Sequence, residues 1–256
     1  MNKIKILSET SNDFPVLWYE FAGEEHFWCQ WRISAFLNLL HSAGISRKDN
    51  MRGLDIGCGN GLIIKQLEKN TSWSIDGVDL NKTGLEQCIS NRGHIMQYNI
   101  HDQLKEMENT YDFLVLFDIL EHIDDTKAFL ESALFHLKPG GYLLINVPAI
   151  NLLWSGYDQK VGHLRRYDKQ MMSETVKPFN LSIVSMAYWG LSMLPLLCVR
   201  KLVMGKNMSI NDTVKTGFDP PNAFSHTFLK ILMKLETKLL KKPVLGTSLM
   251  AIARKA

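Results

Sequence analysis

Residues 53–61, GLDIGCGNG, place three glycines between a short apolar run and the apolar residues of a helical pattern. Glycine lets the backbone turn tightly and approach a bound ligand closely. A glycine-rich turn between a strand and a helix is the usual cradle of a nucleotide. This stretch therefore predicts a nucleotide site at the carboxyl end of a strand.

The segments around this turn alternate between strand and helix patterns. Five short apolar segments predict buried parallel strands, at 52–57, 74–80, 94–100, 113–120 and 141–148. Two further strands are predicted at 180–190 and 247–254, and helices at 24–44, 62–70 and 125–138. We expect the last helix to stop at Pro139-Gly140-Gly141. The alternation predicts an α/β doubly wound sheet with its ligand at the carboxyl ends of the strands.

The spacing of the glycines separates this turn from other nucleotide loops. It is GxGxG, whereas a dinucleotide fold favours GxGxxG, and no GK[ST] follows as in a P-loop. Asp55 precedes the first glycine by two residues, and Asp79 ends the next predicted strand. An acid at that second position accepts hydrogen bonds from ribose hydroxyls, so the pattern disfavours an NAD-dependent oxidoreductase but keeps a nucleoside ligand.

Four motifs in order resemble those of class I S-adenosylmethionine-dependent methyltransferases. They are LDIGCGNG (54–61), GVDLN (77–81), FDILEHIDD (117–125) and LKPGGYLLINVP (137–148). The resemblance covers roughly residues 50 to 150 and implies a Rossmann-like seven-stranded methyltransferase sheet with helices on both faces. It also implies the cofactor S-adenosyl-L-methionine and the product S-adenosyl-L-homocysteine.

The resemblance assigns cofactor-binding roles by position. The glycines would pass beneath the methionine part, Asp79 would bind the ribose, and Leu80 would pack on the adenine. Asn99 would face the adenine amino group, with Asp102 as the alternative. The full implied set is Asp55, Gly57, Cys58, Gly59, Gly61, Asp79, Leu80, Asn99, Ile100, Asp118 and Arg32.

Methyl transfer from a sulfonium needs in-line positioning and exclusion of water. A hydroxyl acceptor also benefits from a general base, for which histidine suits neutral pH. The candidate catalytic residues are His163, His122 and Glu121. Alternatively, His122 only packs the following helix. This chemistry requires no metal, and the sequence shows no ligand cluster.

The stretch WSGYDQKVGHLRRYDK (154–169) follows the fifth predicted strand, at the mouth of the predicted pocket. Its Tyr157, Arg165, Arg166 and Tyr167 are candidates to bind an anionic or sugar-like acceptor. The alternative is a solvated basic turn. Together with the HFW…R pattern that begins at His26, its GHxRRY element resembles a methyltransferase subgroup often linked to bacterial cell-surface glycan or lipid biosynthesis.

The positive charge is concentrated near the C-terminus. Residues 191–256 hold 11 Lys and Arg against 3 Asp and Glu, whereas residues 1–190 hold 18 against 23. Residues 222–242 predict a basic amphipathic helix whose apolar positions are Phe224, Phe228, Ile231, Leu232, Leu235 and Leu239. Such a helix either caps the domain or rests on an anionic membrane surface.

Other features limit location and partners. The apolar run 185–199 contains Pro195 and is short for a membrane span, the N-terminus shows no signal peptide, and the four cysteines form no CxxC pair. We therefore expect a cytoplasmic protein, peripheral at the inner face of the membrane if the basic helix binds lipid. A DNA amino-methylating enzyme is disfavoured, because FDILEH stands where an NPPY-type tetrapeptide would be.

These patterns predict a methyltransferase of a small-molecule or lipid-linked acceptor, with O-methylation of a saccharide or isoprenoid-type compound as the leading function. The alternatives are an N- or C-methyltransferase of another metabolite or protein, and a non-catalytic cofactor-binding protein at the membrane. The predicted organisation is an N-terminal helical lid (1–45), a cofactor-binding core (46–190), a basic helical insertion (191–246) and the last core strand (247–256).

Overall fold

The computed structural model describes residues 4–11, 23–203 and 223–256, which form a mixed sheet flanked by helices. The strands are β1 (Lys5–Ile6), β2 (Arg52–Ile56), β3 (Ser74–Asp79), β4 (Ile95–Gln97), β5 (Tyr111–Phe117), β6 (Leu137–Pro148), β7 (Leu181–Trp189) and β8 (Ser248–Lys255). Their order is β1-β4-β3-β2-β5-β6-β8-β7, and β8 is antiparallel to both neighbours. The order reverses at β2, which makes the carboxyl end of β2 the switch point where such sheets bind ligands.

All seven predicted segments form strands, but the predicted count of seven is wrong for the described chain. The eighth strand, β1, pairs only Lys5 with Met96 and Ile6 with Gln97 of β4. A two-residue strand contains no full alternation of apolar and polar residues, so its sequence carries no strand signal.

Helices cover both faces of the sheet. They are α1 (Phe27–Ser42), α2 (Leu62–Asn70), α3 (Lys82–Gln87), α4 (Thr126–Phe135), α5 (Gly156–Lys160), α6 (Lys169–Val176), α7 (Leu194–Val203) and α8 (Ala223–Leu239). One buried cluster joins the sheet to α4 and α6, and a second joins it to α1, α2 and α8. The central strands are buried on both sides, which explains why they read as continuous apolar runs.

The helix α4 ends earlier than its sequence predicts. Its last residue is Phe135, and the backbone N–H of His136 donates to Ala133 O. Pro139-Gly140-Gly141 lies inside β6, where the pairing with β5 shifts register between Tyr111 and Phe113. The Pro-Gly-Gly run therefore forms an irregularity in the strand, and the chain has already left the helix.

Between β7 and β8, helices α7 and α8 are described and residues 204–222 lie outside the described chain. The helix α8 packs on α1, with Asn38 Nδ2 donating to Thr237 O at 2.9 Å. Its buried face is formed by Leu229, Met233 and Glu236. Four of the predicted apolar positions remain exposed, namely Phe228, Ile231, Leu235 and Leu239. The side chain of Phe224 lies outside the described ones.

Among the described residues, no helix is both long and apolar enough to span a bilayer.

Candidate active site

The glycine turn adopts backbone conformations that other residues rarely take. Gly57, Gly59 and Gly61 have φ values of 77°, 53° and 77°. A Cβ added to Gly57 would lie 2.2 Å from Ile119 Cδ1, and one added to Gly61 would lie 2.4 Å from Cys88 Sγ. Both the left-handed φ and the close approach require glycine. The turn thus leads tightly from β2 into α2, as the sequence predicts.

Asp79, at the end of β3, holds this turn in place. Its Oδ2 accepts from the Gly59 N–H and its Oδ1 accepts from the Asn81 N–H, each at 2.8 Å. Burial raises the pKa of the Asp79 carboxyl, while these backbone hydrogen bonds oppose the rise. Each oxygen keeps a second lone pair for a further donor. Leu80 follows and is half-buried beside it.

Asp55 lies beneath the turn and is 2% exposed. Its Oδ2 has no hydrogen-bond partner among the described residues. Burial raises the pKa of its carboxyl to about 8, against the opposing charge of Arg32. The neighbouring Cys58 is buried, and a hydrogen bond with Cys88, followed by burial, raises the pKa of its thiol.

Arg32, from the middle of α1, reaches the carboxyl end of β5. Its Nη1 lies 2.5 Å from Asp118 Oδ2, and its guanidinium carbon lies 4.6 Å from the centre of the Trp28 ring. Asp118 Oδ1 also accepts from Asn146 Nδ2 at 2.6 Å. The Nε of Arg32 has no partner among the described residues. A buried guanidinium therefore lies near the switch point with its Nε donor unused.

The predicted adenine-facing residues lie after β4. Asn99 caps a short 3-10 turn by accepting from the His101 N–H at 3.1 Å, and Ile100 is buried. The alternative, Asp102, is engaged by the Ser8 hydroxyl, which donates to its Oδ2 at 2.5 Å. Asn99 is half-buried, and its side-chain oxygen serves the backbone of the turn.

The three predicted catalytic residues come together from two segments. Glu121 and His122 lie in a 3-10 turn (Leu120–His122) after β5, and His163 lies in the loop after β6. The two imidazole rings are 5.0 Å apart between centres. Burial, followed by the charge of Asp118, raises the pKa of Glu121 well above its usual value. Burial, followed by His163, lowers the pKa of His122 to about 4.

Asp158 organises the loop that carries His163. Its Oδ1 accepts from His163 Nδ1 and from Arg166 Nε, each at 2.8 Å, and its Oδ2 accepts from the Ser155 N–H. Although burial opposes ionisation, the His163 hydrogen bond and the charge of Arg166 lower the pKa of Asp158 to about 2. The backbone of Leu164 donates to Glu121 O at 2.7 Å, which fastens the loop to the 3-10 turn.

Three of the four residues predicted to bind an acceptor from this loop, namely Tyr157, Arg166 and Tyr167, are buried. Arg166 is buried, and its guanidinium donates to Asp158 Oδ1 and Ala149 O, so it supports the fold of the loop. Tyr167 is fully buried and donates to Leu120 O at 3.2 Å. Tyr157 is also buried, at 6% exposure. The reason is that the segment folds back onto the core instead of running across the surface.

Arg165 and His26 are placed at the edges of the site. Arg165 is half-buried and donates to Thr126 Oγ1 and Asp124 O, so its guanidinium also serves the fold. His26 is the N-cap of α1, where its Nδ1 accepts from the Trp28 N–H at 3.2 Å. These contacts of Arg165 and of His26 are structural, because they hold the loop and the start of α1 in place.

Asp158 and Asn146 are absent from the residues predicted from the sequence, yet both hold side chains of the site in place. Ser155 and Asp158 form a capping box of the S-x-x-[DE] type, which is a readable sequence signal. Asn146 is the polar residue in the apolar run of β6, and its Oδ1 accepts from Trp189 Nε1 at 2.9 Å. A lone amide in a buried strand requires partners, so its position was a usable hint.

Comparison with known proteins identifies the group of proteins that this chain resembles. A family model described as "Methyltransferase domain" matches residues 25–186. The chain is 28% identical over 99 residues to a ubiquinone biosynthesis O-methyltransferase of Vibrio parahaemolyticus. That match covers 36% of this chain and 42% of the relative, so the chain spans less than half the length of this curated relative.

Solved structures share the fold at low sequence identity. A SAM-dependent methyltransferase from Archaeoglobus fulgidus superposes with a TM-score of 0.57 at 16% identity, covering 95% of this chain and all of that one. The phosphoethanolamine N-methyltransferase 2 of Haemonchus contortus, in complex with S-adenosyl-L-methionine, gives 0.55 at 16% identity over 96% of this chain and 60% of that one. At this identity the likeness extends to the fold alone.

Proposed function

The chain belongs to the class I S-adenosylmethionine-dependent methyltransferase family, and we propose that it O-methylates a small-molecule or lipid-linked acceptor, namely a saccharide or isoprenoid-type compound. The observation that carries the proposal is the turn 57–61, held by Asp79 where the strand order reverses. The ubiquinone-biosynthesis relative is named as an O-methyltransferase, which supports transfer to oxygen.

The residues at the switch point fit the cofactor. Asp55 Oδ2 and Arg32 Nε are buried polar atoms without partners among the described residues. The methionine part of the cofactor carries an ammonium group, which can donate to Asp55 Oδ2, and a carboxylate, which can accept from Arg32 Nε. Each of these buried atoms would thereby gain its missing partner. The free lone pairs of the Asp79 oxygens suit ribose hydroxyls.

When bound, the cofactor supplies an already activated methyl group. The chain's own residues then position the acceptor and keep water away. We propose that the cluster of Glu121, His122 and His163 receives the acceptor hydroxyl. The ionised Asp158 orients His163 through its Nδ1, which leaves Nε2 as the atom that would take a proton. His163→Ala should therefore slow single-turnover transfer more than it weakens cofactor binding.

The exposed apolar face of α8 supports a lipid-linked acceptor. Phe228, Ile231, Leu235 and Leu239 are each at least half exposed. Exposed lysines accompany them at 234, 238, 241 and 242. Apolar side chains flanked by lysines suit the surface of an anionic bilayer. We propose that residues 191–246 rest on such a surface at the inner face of the membrane.

We also propose a division of the chain around this element. Residues 1–45 cover the cofactor, and residues 46–190 and 247–256 form the core.

Calorimetry with S-adenosylmethionine and with NAD tests the cofactor assignment. We expect binding of S-adenosylmethionine alone, and Asp79→Ala should weaken it at least about tenfold through lost charge-assisted hydrogen bonds. Asp49→Ala, on an exposed loop, is the matched control and should bind like the wild type. Binding of NAD in place of S-adenosylmethionine would overturn the assignment.

Vesicle sedimentation tests the membrane proposal. The wild type should pellet with anionic vesicles at low salt, and Leu235→Asp should remain in the supernatant. Ile89→Asp replaces an exposed apolar residue away from α8 and should not change pelleting. If the wild type does not pellet at low salt, α8 serves only to cap the domain.

A further inference from the structure

The cluster of Glu121, His122 and His163 has the make-up of a metal site. One candidate ligand atom from each side chain lies within 4.8 Å of the others. Within the part of the chain that the structure describes, this is the one group of three or more His, Cys, Asp or Glu side chains that meets so closely. The cluster is not visible in the sequence, because His163 lies 41 residues from His122 and 42 from Glu121 along the chain.

Hydrogen bonds fix which nitrogen of each histidine carries its proton. Asp158 Oδ1 accepts from Arg166 Nε and lies 2.8 Å from His163 Nδ1, so His163 Nδ1 is the donor of that second hydrogen bond. His122 Nδ1 lies 3.0 Å from Gly162 O, which can only accept. In its neutral form each ring therefore carries its lone pair on Nε2. Metal-binding histidines are usually oriented in this way, with the nitrogen that does not bind the metal donating to a carboxylate or a backbone carbonyl.

The carboxyl of Glu121 provides the independent observation. The residue is 1% exposed, and its Oε2 has no hydrogen-bond partner among the described residues. A buried carboxyl without a partner is costly. Arg166, a buried cation whose charge acts on Glu121, has its Nε and Nη1 engaged by Asp158 and Ala149. A cation between Glu121 and the two imidazoles would give this oxygen its missing partner.

We propose that Glu121, His122 and His163 bind one divalent transition-metal cation of the zinc type, with a coordination position left open. Two imidazoles and one carboxylate are a known zinc donor set, and three protein ligands typify sites that keep a place for water or substrate. Ligand distances of roughly 2.0–2.2 Å require the side chains to move inward from their present separations of up to 4.8 Å. Ion binding does not depend on the proposed function; only the use of the open position for an acceptor hydroxyl rests on it. There the ion would lower the pKa of that hydroxyl, whose proton would pass to solvent, and would replace His163 as the activating group, because His163 Nε2 would then be a ligand.

The primary experiment measures metal binding to the chelator-treated full chain without cofactor. Calorimetry with ZnCl₂, checked by elemental analysis after dialysis, should give one ion per chain. The Co²⁺ form should show visible absorption typical of four or five ligands. Wild-type protein that keeps no stoichiometric Zn²⁺ would overturn the proposal, whatever the variants do.

Variants then test the ligand set. Glu121→Gln and His163→Gln should each weaken Zn²⁺ binding at least about a hundredfold, and Asp158→Asn should weaken it about 10- to 100-fold because it orients His163. The matched controls are Glu131→Gln and His41→Gln, which alter exposed residues outside the cluster and should leave affinity unchanged. Circular dichroism identifies any variant that fails to fold. Folded Glu121→Gln protein that binds like the wild type would disprove the site.

The outcome is separable from that of the proposed function. S-adenosylmethionine calorimetry on the same chelated protein reports the cofactor site alone. Stoichiometric Zn²⁺ binding without cofactor binding would refute the methyltransferase proposal and leave the metal site standing. Cofactor binding without Zn²⁺ binding would do the reverse, and His163 would remain a general base.

Discussion

Replacing the buried Asp55 by asparagine should change how the stability of the protein depends on pH. The carboxyl is 2% exposed and its pKa lies near 8, because burial outweighs the attraction of Arg32. In the unfolded chain an aspartate has a pKa of about 3.9. Between these values the folded state holds a proton that the unfolded state has lost. The free energy of unfolding should therefore fall as pH rises from about 4 to 8.

The magnitude follows from the two pKa values. A difference of about 4 pKa units corresponds to roughly 5 kcal/mol over the whole range, as an upper bound. Integrated between pH 6 and 8 alone, the same linkage gives a loss of about 2 kcal/mol. Asp55→Asn cannot ionise, so this contribution should vanish in the variant.

Urea unfolding of both proteins at pH 6 and pH 8 measures this loss. The wild type should lose about 2 kcal/mol more than Asp55→Asn on going to pH 8, at an unchanged slope against urea. Other titrating groups, such as Glu121, are present in both proteins and cancel in the difference. Asp49→Asn, on an exposed loop, should keep the wild-type dependence. Parallel losses in the wild type and Asp55→Asn would refute the assigned pKa and its cause.

Three further substitutions test the surrounding structure, each by urea unfolding. Gly61→Ala should lower the free energy of unfolding by about 1–3 kcal/mol, because φ is 77° and the added Cβ would lie 2.4 Å from a cysteine sulfur. The control is Gly156→Ala, which should not destabilise the protein, because nothing lies within 4 Å of its Cβ. Glu236→Gln should cost about 1.5–3 kcal/mol, since the carboxylate accepts from the backbone N–H groups of residues 190–192, and an unchanged midpoint would contradict this role. Tyr167→Phe should cost about 1 kcal/mol through the lost hydrogen bond to a backbone carbonyl; a neutral effect would show that this bond adds nothing.

Local patterns predicted the parts of the fold that depend on local chemistry. The turn 57–61 and the strands around it were readable, because positive φ demands glycine and double-sided burial demands an apolar run. The end of α4 was misjudged. The Pro-Gly-Gly run at 139–141 can end a helix or interrupt a strand, and only the pairing of β6 with β5 shows which occurs.

The side-chain roles near the site depended on contacts between distant segments. Tyr167 and Arg166 are residue types common in binding loops, yet both are buried. Arg166 pairs with the buried Asp158, and the Tyr167 hydroxyl donates to Leu120 O. The helix α8 showed its periodicity in the sequence. Which of its faces packs on α1 was decided by the position of Glu236 beneath the turn after β7.

The sequence by itself determined the glycine turn, the order of strands and helices, and the acid at the end of β3, because each of these follows from a few neighbouring residues. Tertiary structure alone decided that Glu121, His122 and His163 meet, that Arg32 reaches Asp118, and that Asp55 is left without a hydrogen-bond partner among the described residues. Burial and pairing between segments far apart in the chain set these arrangements, and a linear pattern does not record them.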